Sequence, residues 1–274
     1  MASEIDTGTT DLLASLSAGV LTLTLNRPDA RNAMSAEMTT ALAVQLEKAE
    51  LNPEVKCLVL TGAGKGFCAG GDVKGMAASG DGTVGDNTID GAIHRQRVNQ
   101  RATAGKLFKM PKPTIAALPG AAAGAGLSLA LACDLRIMSS NAIMTTAFAR
   151  VGFSGDYGGT WFMTQLVGAG RARELYYLSE RVSAEDALRL GLANWVCDPG
   201  ELSEKTREIA EKLASGPTVA YRYMKENLNR AMVAELDDCM DLEATHHIHC
   251  GQTEDHREAT KAFVDKREPV FKGR

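Results

Sequence analysis

Polar and β-prone apolar residues alternate along LLASLSAGVLTLTLN, and a break at Ser17–Gly19 predicts a hairpin of two strands. Pro28 in NRPDARNA cannot continue a ladder and ends the second strand. Ser35, with Met38 three positions on, opens AEMTTALAVQLEKAE and predicts a capped amphipathic helix. CLVLTG reads as a short buried strand, followed by the glycine-rich loop GAGKGFCAGGD. Residues 75–92, rich in Gly, Ala, Ser and Asp, read as a mobile surface loop. IHRQRVNQRATAGKLFKM predicts one helix, stopped by Pro111 and Pro113. TIAAL is another buried strand, then come PGAAAGAG and the short apolar helix LSLALA, and CDLRIM and NAIMTTAF read as strands. From Thr160 the pattern turns helical, with helices expected at 200–215, 217–231, 235–250 and 252–267. Alternating strands and helices followed by helices alone predict an α/β core with a helical C-terminal part. The expected division is 1–200 and 201–274. No repeat of fixed period stands out.

Composition narrows the class. The chain of 274 residues is 45% apolar and 23% charged, as in a globular protein able to bury a core unaided. A net charge of −4 gives no electrostatic draw to nucleic acid or anionic membrane. The acidic, polar start MASEIDTGTTDLL is unlike a secretory signal, and six scattered cysteines without a CxxC pair predict reduced thiols and a cytoplasmic setting.

Two stretches imitate cofactor motifs. VLTGAGKGFC resembles a dinucleotide turn, with Tyr221 and Lys225 supplying a YxxxK. Gly66 fits that turn, yet Cys68 stands where its last glycine belongs, and YRYMK reads as a helix with an exposed lysine. EATHHIHC places Glu243, His246 and His249 on one helix face, but a metal site there needs a second helix with partners, and a solvated face is the plainer reading. No metal and no redox cofactor are expected.

FCAGGDVKGM and PGAAAGAGLSLA share a design: small residues before a helix start, near Asp72 in one and Ala125 in the other. Small residues let a ligand approach the backbone, and the first N–H groups of a helix have no internal partner. One N–H from each loop, aimed at one point, makes an oxyanion hole. Taken separately, each loop reads first as a tight strand-to-helix turn that needs glycine for packing, and only the pair points to something more specific.

Together with NRPDARNAMS, GDYGGTWFMTQLVGAGRARELYYL, SAEDALRLGLANWV and KAFVDKREPVF, these segments are similar to the crotonase, or enoyl-CoA hydratase/isomerase, superfamily, in family order from about residue 19 to 272. The resemblance implies a ββα spiral core with a C-terminal helical trimerisation region, homo-oligomers (trimers or dimers of trimers) and acyl-CoA thioester substrates, with CoA part of the substrate. It implies that Gly71 and Ala125 supply the two oxyanion-hole N–H groups, Ala125 standing where Gly is usual. CoA is expected along Ala30, Arg31, Ala69, Asp72 and Val73, with Phe263 and Lys266 reaching a neighbouring subunit's CoA.

The reaction depends on the acids near the hole. Hydratases of the family carry two Glu, at positions that hold Ser128 and Phe148 here, and neither can move the proton alone. Asp156, in GDYGGTW, remains. That segment resembles the PDCGGTW of the phenylacetate-pathway isomerase branch, which keeps its acting Asp there. Phe148, Phe153 and Trp161 are expected as apolar walls that raise the Asp156 pKa, with Tyr157 beside it. The expected function is double-bond isomerisation of an enoyl-CoA through an enolate with a single Asp base. The alternatives are an enoyl-CoA hydratase (a lyase), a member using Asp156 as a nucleophile, and a catalytically silent acyl-CoA binder. A turn-forming role for Asp156 is the plain alternative.

Overall fold

The computed structural model describes residues 2–72 and 88–274. The hairpin forms where expected: β2 (Leu12–Ser17) and β3 (Val20–Leu25) pair antiparallel, with Ser17 opposite Val20. Ala18 and Gly19 make its two-residue turn at φ of 49° and 78°, which suits the twist of a tight hairpin. The polar start gives no sign of β1 (Ser3–Ile5), which pairs with β2. α1 (Ala36–Leu51) begins at Ser35, whose Oγ accepts the Met38 N–H at 3.0 Å, and it buries Met38, Leu42 and Leu46.

From β3 the main sheet continues in parallel through β4 (Cys57–Gly62), β6 (Thr114–Leu118), β8 (Leu135–Ser139) and β11 (Trp195–Cys197). Among the described residues its order is β1-β2-β3-β4-β6-β8-β11. All five residues of β6 are buried, as befits a strand covered on both faces. A smaller sheet runs β10-β9-β7-β5, from β5 (Gly66–Cys68), β7 (Ala121–Ala123), β9 (Ile143–Thr145) and β10 (Val182–Ser183). Two- and three-residue strands show no periodicity, so GAGKGFCAGGD and PGAAAGAG read as loops although each contains one.

A repeat is present after all. A main-sheet strand, a short strand of the second sheet and a left-handed turn residue recur as β4, β5 and Gly70 (φ 91°), as β6, β7 and Gly124 (52°), and as β8, β9 and Ala147 (58°). Inserts of unequal length hide it from a fixed-period reading.

The helix expected to start at Asp72 and most of the expected 75–92 loop lie outside the described residues. Positions 89–92 are helical, within α2 (Ile89–Ala102), which Thr88 caps. The single helix expected over 93–110 is two: α2 ends at Ala102, Thr103 breaks the run with a ψ of −88° while its Oγ1 donates to the Asn99 carbonyl, and α3 (Ala104–Lys109) follows. The helical reading after Thr160 holds for α5 (Gly159–Leu178), while α4 (Ala125–Ala132) precedes it as expected. It misses β10 and β11, on either side of α6 (Ala184–Arg189), because each strand is very short.

α7 (Leu202–Ala214), α8 (Thr218–Ala231), α9 (Leu236–Gly251) and α10 (Glu254–Asp265) close the chain. α7 packs Leu202, Ala210 and Ala214 on Val59, Ile115 and Ile137 of the main sheet. Lys225 of α8 corrects the expectation of an exposed lysine: it is 8% exposed, and its Nζ donates to Asp134 Oδ2 (2.9 Å) and to the Leu107 and Lys112 carbonyls. A buried ammonium needs such partners. His246 is likewise buried: it stacks on Tyr223 at 4.2 Å between ring centroids, and its Nδ1 meets Asn227 Oδ1, tying α9 to α8. No group of three or more His, Cys, Asp or Glu among the described residues is placed to hold a metal. No described helix is long and apolar enough to cross a membrane, and all six cysteines are free.

Candidate active site

The pairing of β5 with β7 sets Gly66 opposite Ala121 and Cys68 opposite Ala122, which brings the two glycine turns together. A Cβ on Gly70 would lie 2.8 Å from the Ala123 carbonyl oxygen and 3.2 Å from Ala125 N, so only glycine allows this approach. Gly71, the next residue, bridges to Met34. The Met34 N–H donates to the Gly70 carbonyl at 2.8 Å and the Ala69 N–H to the Arg31 carbonyl at 3.0 Å. The segments carrying Ala30 and Arg31 and Ala69–Asp72 thus run side by side. Val73 lies outside the described residues.

Ala125 opens α4, and Gly124 offers no side chain to cap it. Neither the Gly71 nor the Ala125 N–H donates to a backbone carbonyl among the described residues. The positive end of a buried helix therefore faces the Gly70–Gly71 turn with donors to spare. Two framework residues went unnoticed in the sequence. Arg27 holds Asp72 at 3.1 Å and donates to the Ala33 carbonyl at 2.7 Å. Asn32, fully buried at φ 57°, donates to the Ala63 and Gly66 carbonyls and accepts the Arg27 N–H. The only sequence sign of the latter is an Asn tolerant of left-handed backbone.

Asp156 stands in a turn wound through Gly155, Tyr157 and Gly158 at φ of 115°, 49° and 75°. Its carbonyl accepts the Gly159 N–H at 3.0 Å, and the Tyr157 N–H donates to Gln100 Oε1 at 2.7 Å. Its Oδ1 is buried with no hydrogen-bond partner among the described residues. Burial pushes its carboxyl up to about 6. The Tyr157 side chain is buried, and desolvation together with the Asp156 charge pushes its phenol up to about 12.

The walls differ in part from expectation. Phe148 is buried, but Phe153 is 58% exposed, standing beyond the Gly152 turn with its ring in solvent. Trp161 packs edge-on against Phe108 and Phe162, and it is Phe162 that meets Gly158. Tyr176 replaces Phe153 as a wall. A straight helix from Gly159 to Tyr176 would separate them by about 25 Å at its usual rise. Instead α5 breaks at Gly168 (φ 76°, ψ 161°) and folds back. The Tyr176 ring stacks on Phe148 at 5.9 Å, and its Oη reaches within 2.6 Å of where a Gly159 Cβ would be. Ser128 Oγ crowds the same point, so Ser128 and Tyr176 converge on the Asp156 turn, with Phe148 stacked on the Tyr176 ring. Burial and the Asp156 charge raise the Tyr176 phenol as well. VGAG at 167–170 was the available sign of the fold-back.

Phe263, 85% exposed, and Lys266 sit at the end of α10, and no hydrogen bond or ring contact joins either to the Asp156 turn. The described group can therefore do two things. It can offer paired N–H donors to an oxygen that gains charge, and it can hold a carboxylate able to take and return a proton near neutral pH.

The chain matches the family model "Enoyl-CoA hydratase/isomerase" over residues 15–274. It is 37% identical over 263 residues to a 1,2-epoxyphenylacetyl-CoA isomerase of Escherichia coli K12, covering 96% of this chain and 98% of that one. A short-chain-enoyl-CoA hydratase of Clostridium acetobutylicum is 36% identical, with coverage of 90% and 92%. The crystal structure of an enoyl-CoA hydratase from Bacillus anthracis superposes with a TM-score of 0.88 at 31% identity, covering 96% of this chain and all of that one (100%). On fold, sequence and family match together, the chain belongs to the enoyl-CoA hydratase/isomerase family of the crotonase superfamily.

Proposed function

We propose that this enzyme moves the double bond of an enoyl-CoA, with Asp156 as its single base. The observation that carries the reading is the Asp156 carboxylate: it is unpartnered at Oδ1 and raised to about 6 by burial, while Ser128, which crowds Gly159 of its turn, and Phe148, stacked on Tyr176, hold the two positions where hydratases of the family carry Glu. Asp156 takes a proton from the α carbon of a 3-enoyl-CoA. The C–H electron pair moves into the thioester, and the dienolate oxygen accepts hydrogen bonds from the Gly71 and Ala125 N–H groups. Neutral Asp156 then gives the proton to the γ carbon, leaving the 2-enoyl-CoA and the starting carboxylate. Atoms and charge balance within the site, and nothing beyond thioester and protein is consumed. A base near pH 6 suits both transfers, since it is neither too weak to take the proton nor too strong to release it.

CoA is assigned to the paired segments Ala30–Arg31 and Ala69–Asp72. Exposed apolar residues on the last helices, including Leu228, Leu236, Ile248 and Phe263, support a homo-oligomer in which Phe263 and Lys266 reach a neighbour. The experiment is to assay wild type and Asp156→Asn with a 3-enoyl-CoA and a 2-enoyl-CoA. Isomerisation lost in the variant is the expected result. Isomerisation that survives overturns the mechanism, and wild-type hydration that outruns isomerisation favours the hydratase reading. CoA binding without turnover of either favours a silent member.

A further inference from the structure

The Asp156 side chain has little to hold it, since Oδ1 is buried without a partner. Its aim is therefore set through its backbone. The peptide between Asp156 and Tyr157 is fastened at both ends: its carbonyl accepts the Gly159 N–H at 3.0 Å, and its N–H donates to Gln100 Oε1 at 2.7 Å. The first bond is local to the turn. The second spans 57 residues and comes from α2, where Gln100 is half-buried. Tyr157 is held at φ 49°, a conformation that residues with a Cβ adopt at a cost, in a turn whose glycines, Gly155 at 115° and Gly158 at 75°, are free to adopt others. A turn so composed needs an outside contact to select one conformation, and Gln100 supplies it.

We infer that Gln100 is a positioning residue: its side-chain oxygen anchors the Tyr157 amide to α2 and so aims the Asp156 carboxylate at the acyl carbons. This rests on Asp156 being the base. A glutamine suits the task better than a glutamate, because it accepts the same hydrogen bond without setting a second negative charge beside Asp156.

The test uses full-length Gln100→Leu, Gln100→Glu and Asp156→Asn. The readouts are kcat and KM on a 3-enoyl-CoA, and a 13C NMR titration of the Asp156 carboxyl in the free protein. Gln100→Leu is expected to lower kcat by roughly tenfold to a hundredfold through misplacement of the base. KM should change little, because the oxyanion donors and CoA segments are untouched. The Asp156 titration should fall from about 6 toward 3.8 as the released turn admits water. Gln100→Glu keeps the acceptor, so it should recover most of kcat in the alkaline range while its acid limb moves above that of wild type.

Wild-type kcat in Gln100→Leu, with Asp156 still titrating near 6 and Asp156→Asn inactive, overturns the role of Gln100 alone. An active Asp156→Asn overturns the base and this inference with it. If Gln100→Leu does not fold, Gln100→Glu decides: an unshifted acid limb, or no recovery of kcat, overturns the inference.

Discussion

Replacing Asp156 with Asn should stabilise the folded chain in alkaline solution while abolishing its chemistry. Burial raises the carboxyl from 3.8 to about 6. At 1.36 kcal/mol per tenfold, that is a preference of about 3 kcal/mol for the neutral form. Partial solvent access to this half-buried group brings it to about 2 kcal/mol. Between pH 3.8 and about 6 the folded state holds a proton that the unfolded state has released. Stability therefore falls as pH rises through that window, and the deficit is complete above it. Below 3.8 both states are protonated and nothing is lost. Asn is neutral throughout and keeps the shape, and no donor is bonded to Oδ1 for the amide to forfeit. The variant should gain about 2 kcal/mol near pH 8 and almost nothing near pH 3.5, or roughly 4–8 °C in Tm at the alkaline end. Urea denaturation of both proteins across this range measures it. An Asn variant that is less stable near pH 8, or a difference that ignores pH, would refute the burial argument.

The same carboxyl sets the pH profile: kcat/KM should fall tenfold per pH unit below about 6, as the base becomes protonated, with no such limb in any residual activity of Asp156→Asn. Gly159→Ala drives a methyl against Ser128 Oγ and Tyr176 Oη and should cost about 1–3 kcal/mol. Removing the Ser128 hydroxyl in the same chain should return part of that loss, and strict additivity in a double-mutant cycle by denaturation would show that the two do not meet. Lys225→Met leaves Asp134 and two carbonyls without their ammonium and should cost about 3 kcal/mol, read by urea denaturation. A loss well under 1 kcal/mol would contradict that pairing's role.

Regular elements with long patterns were legible: the hairpin at residues 12–25, the helix capped by Ser35, and the strands CLVLTG and TIAAL. What the pattern concealed was short or three-dimensional. β5 and β7 are too brief to carry a period, yet their pairing is what unites Gly70 with Ala125. Asp156 could be singled out by type and surroundings. Its real neighbours could not, because Tyr176 arrives only through the break at Gly168, and Gln100 only across a long-range contact. Phe153 looked like a wall because it was near in sequence, but the Gly152 turn sends it outward. Lys225 and His246 looked exposed on helical spacing alone, and tertiary packing buried both.

The most direct measurement is solvent labelling. A 3-enoyl-CoA is converted in D2O, and the product is read by mass spectrometry and NMR. A single Asp156 that carries the proton from the α to the γ carbon predicts 2-enoyl-CoA with at most one deuterium, at the γ carbon, and no conversion by Asp156→Asn. Labelled product formed by Asp156→Asn at the wild-type rate, or a 3-hydroxyacyl-CoA as the main product of the wild type, would contradict it.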